Sequence, residues 1–389
     1  MISSGGGDRV ALADVGDLIK VGEPLPFRVL DTSGRMLLGQ GQVLLDSGQL
    51  AMLLERGAWV EKSHVQLERL ERSKASGAMV PSTYRHRTLF DSWEQRVWQL
   101  DALLRRVLRH EKVAAELETF ADEQLRLIER DADVALYMAV RQDDRRFALY
   151  ALTHGLHAAT VAVLAGKQLG WSVGQLSGVV RAALTMNVSI GELQAVLAEQ
   201  RTAPSLKQVE QIRGHPQRSV QMLRDAGVND ADWLATVMDH HEHRDGKGYP
   251  RGLTEVGPLA AVLRAADVYM AKISPRAQRP ALPPRVAARQ LFEDEAGGPV
   301  AAALIKPLGV YPPGDLVKLR NGEMAVVIRR GATGAAPLVA AITNRLGKPV
   351  VATTQRDTAQ AEFAIDSPVA DHSVFGRILP ERVYGLLDA

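Results

Sequence analysis

The sequence predicts a multidomain chain with a small N-terminal α+β module, an all-α centre and a mostly β C-terminal segment. Three observations predict it. The 389 residues exceed what one small hydrophobic core organises. From Leu89 to about Leu308 apolar residues recur at three- and four-residue spacings, the period of helices with one buried face. At both ends this pattern gives way to short apolar runs separated by turn residues.

The opening module, residues 1–70, carries the runs PLPFRVLD and MLLGQGQVLL on either side of TSGR, then SGQLAMLLERGAWV, which reads as a helix ending at Gly57. Small and polar residues with one proline follow, and residues 71–88 read as an exposed linker. The helical region, residues 89–310, opens on Leu89, Trp93, Val97, Leu100 and Leu104. It is punctuated at Gly170, Pro204, Gly227, the loop Arg244 to Gly257 and the prolines between Pro280 and Pro284. From residue 311 to 389, β-branched alternation in LVKL, MAVVIRR and PLVAAI is broken by the turns NGE, GATGAAP and GKP. The connection into this β segment is short, so it is expected to pack against the helices.

Zero cysteines exclude a disulfide framework, a thiol nucleophile and thiolate metal ligation, leaving His, Asp, Glu and Asn as metal donors. This usage suits the cytoplasm. No apolar run has membrane-spanning length, and MISSGGGDRV lacks the apolar stretch of a secretory signal, so a soluble cytoplasmic protein without a membrane span is expected. A formal charge of +2 on a chain that is 24% charged makes no field suited to duplex nucleic acid. An anionic ligand therefore has to be sought at a local site. The arginines of LLRRVLRHEK read as the solvated flank of an amphipathic helix.

Six of the ten histidines (His154, His157, His215, His240, His241 and His243) fall in the helical region between positions 154 and 243. Neutral imidazole is the commonest metal ligand. Taken singly, His157 and His243 read as ordinary surface or core histidines. In HHEHRDGKGYP, His240 to Pro250, two adjacent histidines close the helical run WLATVMDHH ahead of a glycine-rich loop. Neighbouring residues on a helix point about 100° apart, so two adjacent imidazoles share one metal only where the helix ends. The loop's glycines permit tight turns and close backbone approach to an anion, Tyr249 can stack or hydrogen-bond, and Pro250 fixes the exit.

This segment resembles the HHExxDGxGYP signature of the HD-GYP family, a bacterial signalling branch of the HD metal-dependent phosphohydrolases, and matches it at every specified position. The resemblance extends to His154 upstream of Leu169-Gly170, to His215-Pro216, to the stretch Ala265-Ala266-Asp267-Val268-Tyr269, and to Arg276 and Arg279 in a segment similar to Arg-Pro-Tyr-Arg. The flanking regions, including GVYPPGDLVKLRNGE, also look like those of relatives. The resemblance implies a helical HD-type fold whose ligand-bearing helices converge on one cleft, and hydrolysis of cyclic di-GMP as the family's activity. It implies His154, His215, His240, His241 and Asp267 as metal donors, and Gly248, Tyr249, Pro250, Arg276 and Arg279 at the substrate. Nothing in the spacing itself identifies a guanine dinucleotide.

One stretch departs from the family. Where relatives carry Ala-Ala-Leu-Leu-His-Asp-Ile-Gly-Lys on a helix, this chain reads Ala182 to Ile190 as AALTMNVSI, with Met186 for the histidine, Asn187 for the bridging aspartate, Ser189 for the glycine and Ile190 for the lysine. Two dications about 3.5–4 Å apart repel strongly and need anionic bridges. The Asn187 amide offers an oxygen but no charge, and the Met186 thioether is a poor donor to hard ions. The resemblance then leaves one metal position with only His154 and Asp267, and the other with three imidazoles, His215, His240 and His241. A single Fe, Mn or Zn ion, or none, is expected.

Three functions remain: a catalytically impaired protein of cyclic di-GMP signalling acting by nucleotide or partner binding, partners of the diguanylate cyclase type included; an active metal-dependent phosphodiesterase; and a scaffold that binds no nucleotide. The long helix after the linker offers a face for pairing with a second copy.

Overall fold

The computed structural model describes residues 9–75, 88–141, 149–331, 334–369 and 379–386. Two compact units divide the chain: Met1–Ala102 with Arg145–Leu149, and Leu103–Asp144 with Tyr150–Ala389.

In the first unit, strands β1 (Arg9–Ala11), β2 (Val29–Leu30), β3 (Met36–Leu38) and β4 (Trp59–Glu61) form an antiparallel sheet in the order β1-β4-β2-β3. The TSGR turn closes because the Asp31 carboxylate accepts the backbone N–H groups of Ser33 and Arg35, both at 2.9 Å. Helix α1 (Ser47–Glu55) starts at Asp46, whose side chain accepts from the Gln49 N–H, and stops before Gly57, which sits at φ +62°. Val29, Leu37, Leu38, Leu44, Leu53 and Val60 make the fully buried core beneath the sheet. Helix α2 (Lys62–Ala75) covers the start of the stretch expected to be a linker, and residues 76–87 of that stretch lie outside the described residues. Helix α3 (Leu89–Leu108) carries the expected apolar stripe.

The second unit continues with α4 (Ala114–Arg130), α5 (Ala132–Val140), α6 (Tyr150–Gln168), α7 (Val173–Thr185), α8 (Gly191–Glu199), α9 (Leu206–Asp225), α10 (Ala231–Asp239), α11 (Pro258–Ile273), α12 (Pro284–Asp294) and α13 (Pro299–Ile305). The expected punctuation holds. Helix α6 ends at Gly170 (φ +75°), and α7 and α9 each open on a reciprocal capping box, Ser172 with Gln175 and Ser205 with Gln208.

Strands β5 (Leu316–Leu319), β6 (Met324–Arg329), β7 (Leu338–Thr343), β8 (Pro349–Asp357) and β9 (Ile365–Pro368) then form an antiparallel sheet in the order β8-β7-β6-β5-β9, and a short α14 (Pro380–Val383) follows. Val317, Leu319, Ala325, Val327 and Val339 are its buried core. As the short connection implied, this sheet packs on the helices. Arg329 and Arg330 meet Asp131 and Asp133 at 3.1 and 2.5 Å, and Tyr384 sets its ring edge-on to Tyr137 at 5.2 Å. Among the described residues no helix is long and apolar enough to cross a membrane.

Candidate metal centre

Four stretches of the helical unit carry the five expected donors. His154 lies on α6, His215 in the middle of α9, His240 and His241 just past the end of α10, and Asp267 on α11. Helices α6 and α7 approach closely beside His154, where a Cβ added to Gly155 would lie 3.0 Å from the Ala183 carbonyl. The Trp233 indole N–H donates to Thr185 Oγ1 at 2.9 Å and ties α10 to the end of α7. Helix α7 itself stops at Thr185, so Met186 to Ile190 form a turn rather than the helical continuation expected from sequence. Ser189 Oγ secures that turn to α9 by donating to the His215 carbonyl at 3.0 Å.

His215, His240 and His241 each offer a ring nitrogen within 4.8 Å of the other two. The local backbone sets two of them. His215 Nδ1 lies 2.6 Å from the Ile212 carbonyl and His240 Nδ1 lies 2.7 Å from the Val237 carbonyl. A carbonyl only accepts, so both Nδ1 atoms carry the proton and both Nε2 atoms carry lone pairs. These Nε2 atoms face each other across 3.2 Å. With no proton between them the contact is repulsive, and a cation placed among them turns it into ligation.

Burial depresses the basicity of all three imidazoles, with His240 adding to the effect on His215 and His241. His215 is pushed down to about 3. The trio is therefore neutral at physiological pH, and the donor set fits a divalent transition ion in an open site. Such an ion, when bound, acts as a Lewis acid and makes a coordinated water more acidic.

The other two expected donors satisfy each other. His154 Nε2 and Asp267 Oδ1 are 2.6 Å apart, and Asp267 Oδ2 lies 3.9 Å from His241 Nδ1. Burial opposes ionisation of Asp267, yet the bond from His154 and the surrounding imidazoles hold its carboxyl well below the usual range. Met186 is fully buried, and Asn187 is 8% exposed with no partner for its Oδ1 among the described residues.

Beyond the trio, the loop folds back over it. Tyr249 stacks on the His241 ring at 4.5 Å, with the ring planes 27° apart. Burial pushes its phenol pKa upward. Glu242, 1% exposed, accepts the backbone N–H groups of Arg251 and Leu253 at 2.5 and 2.8 Å and so closes the loop onto the histidine segment. Gly248 runs so close to that segment that an added Cβ would lie 2.4 Å from the His243 nitrogen and 2.5 Å from the Glu242 Cα. The obstacle is backbone and cannot rotate away. Gly248→Ala is accordingly expected to destabilise the protein by about 2–3 kcal/mol or to displace the loop, read by chemical denaturation and by loss of Tyr249 fluorescence changes on metal addition.

Arg276 and Arg279 lie in one tight hairpin after α11, joined by two backbone hydrogen bonds of 3.0 and 3.1 Å. Burial and the neighbouring Arg276 charge lower the Arg279 pKa. Among the described residues neither guanidinium pairs with a carboxylate: Arg276 donates to the Tyr150 hydroxyl at 3.0 Å and Arg279 to the Ala271 carbonyl at 2.5 Å. Tyr150 in turn stacks on His154 at 5.3 Å. Neither Tyr150 nor Glu242 is among the site residues that the resemblance implies. Glu242 is a signature position, and an acidic residue between two histidines was the available signal, whereas Tyr150 gave none. His157 and His243 stay outside the trio, and His243 pairs with Asp245 at 2.6 Å.

A family model described as an HD domain matches residues 126–297. Among curated proteins, the cyclic di-GMP phosphodiesterase PA4108 of Pseudomonas aeruginosa is 34% identical over 123 residues, which are 31% of this chain and 30% of that protein. The cyclic di-GMP phosphodiesterase PdeB of Borreliella burgdorferi is 22% identical over 186 residues, 46% of this chain and 49% of that one. The chain thus spans under a third of the first relative and about half of the second. Among solved structures, Bd1817, described as a HDG"Y"P protein, from Bdellovibrio bacteriovorus, aligns with a TM-score of 0.50 at 15% identity over 77% of this chain and 98% of that one, a likeness of fold.

Proposed function

Because this chain is an HD-GYP domain protein, we propose that it serves cyclic di-GMP signalling by binding rather than by rapid hydrolysis. It holds one divalent ion on His215, His240 and His241 and docks the dinucleotide against Tyr249, Arg276 and Arg279. The observation that carries this reading is the unequal fate of the donors: three imidazoles converge, His215 and His240 with their Nε2 lone pairs facing each other, while His154 and Asp267 are engaged with each other. At the place where the family resemblance implies a bridging carboxylate, the side chain is the neutral Asn187 amide.

The two guanidiniums supply the anion-binding half. Like charges held in one hairpin with neutral hydrogen-bond partners gain most from an added phosphate, and Arg276 Nε is buried with no partner of its own among the described residues. Tyr249, stacked on a ligand histidine, gives a flat face for a purine beside the ion. Gly248 and Pro250 hold that tyrosine in place, and the same loop is the surface offered to partner proteins of the diguanylate cyclase type.

Metal content of protein prepared without a histidine tag, cyclic di-GMP binding by calorimetry, and turnover with added Mn²⁺ or Fe²⁺ test this reading, with His240→Ala as control. The expected result is about one ion per chain, lost in His240→Ala, with nucleotide bound and turnover no faster than in that control. Two ions and turnover abolished by His240→Ala would establish a phosphodiesterase instead. Neither ion nor nucleotide would leave a scaffold.

A further inference from the structure

We propose that Pro216 is a positioning residue for the metal centre: by leaving the Ile212 carbonyl without its helical partner, it fixes which nitrogen His215 presents to the ion. The inference rests on the metal reading above and extends it to a residue that touches no ion. In a regular helix the N–H of residue 216 would donate to the carbonyl of residue 212. Proline has no N–H, and its ring crowds the carbonyl four residues back, turning it away from the helix axis. Pro216 lies inside α9 and is buried. The carbonyl it releases, Ile212 O, is the one that accepts from His215 Nδ1, at 2.6 Å.

His240 reaches the same state by another route. Helix α10 ends at Asp239, so the Val237 carbonyl belongs to the last turn, whose carbonyls lack helical donors, and it takes the His240 Nδ1 proton. One helix is interrupted by a proline and the other by its end. Both interruptions free a carbonyl at position i−3 from a histidine and leave Nε2 facing the centre.

The test is Pro216→Ala, which restores a competing N–H, set beside an α-hydroxy analogue of alanine at position 216, whose ester linkage lacks the N–H without having the ring. The tautomer of His215 is read by nitrogen NMR of the metal-free protein, and Zn²⁺ affinity by competition with a chelator. In Pro216→Ala the Nδ1–H tautomer is expected to lose its dominance and Zn²⁺ affinity to fall by about 10- to 100-fold, the usual effect of removing such an outer partner. The ester analogue is expected to keep both at the level of the unaltered chain. An unchanged tautomer in Pro216→Ala overturns the proposal. So does an ester analogue that behaves like alanine, since the proline ring and not the missing donor would then matter. If the unaltered chain takes up no Zn²⁺, the metal reading fails, and the tautomer populations still decide the role of Pro216. If Pro216→Ala does not fold, as judged by circular dichroism, the ester analogue decides it.

Discussion

Changing Met186 to histidine and Asn187 to aspartate together is expected to raise bound divalent metal from about one ion per chain to about two, and cyclic di-GMP turnover by at least about 100-fold over the unaltered chain. The turn carrying these residues is already fastened to α9 beside His215, and Asn187 Oδ1 is buried without a partner among the described residues. An aspartate there adds the anionic charge that a second dication needs. Competition from that ion for the His154 and Asp267 donors opens their 2.6 Å contact.

Asn187→Asp alone, without metal, buries an unpaired carboxylate and is expected to lower stability by about 1–3 kcal/mol, an effect that added Mn²⁺ reverses. Metal analysis, turnover and denaturation with and without Mn²⁺ check all three expectations. A folded double variant that still binds one ion and turns nothing over would show that the missing charge is not what limits the site.

The second large effect is remote from the histidines. Asp315 sits 2% exposed at the start of β5, and burial pushes its carboxyl up to about 7, only partly offset by the Leu316 N–H it accepts at 3.0 Å and by the charge of Arg285. Between pH about 4 and about 7 the unfolded chain has released this proton while the folded chain keeps it, so stability falls as pH rises through that window and levels off above it. The full loss is on the order of 4 kcal/mol. Asp315→Asn keeps the shape and removes the ionisation. It is expected to be more stable than the unaltered chain by up to about 4 kcal/mol at pH 8 and nearly equal to it at pH 4. Urea denaturation at pH 4.5, 6 and 8 reads this directly, and a difference that does not grow with pH would mean that Asp315 is not buried as a neutral acid.

Much of the architecture was legible because it rests on local periodicity. The stripe from Leu89 to Leu104, the stop at Gly170 and the alternation in MAVVIRR report burial through spacing alone, and the structure has helix, helix end and strand at those places. The trio was legible in part, since His240 and His241 are neighbours at a visible helix end. What spacing does not carry is contact across the fold. The stack of Tyr150 on His154 was hidden because tyrosine on an apolar helix face reads as core, and its hydrogen bond from Arg276 joins positions far apart in sequence. The end of α7 at Thr185 was missed because AALTMNVSI has no glycine or proline to mark it. The direct bond between His154 and Asp267 depends on what else competes for each, which no single position encodes.

Glu242 gives the loop a different character from a cover. It follows His240 and His241 directly and grips the chain again at Arg251 and Leu253, so the residues between form a closed ring whose perimeter cannot lengthen. Two hydrogen bonds to a buried carboxylate are together worth about 3–6 kcal/mol, which holds any swung-out conformer to roughly one molecule in a hundred or fewer. The glycine-rich segment therefore belongs to the rigid frame of the centre, and a ligand must enter past it rather than wait for it to lift.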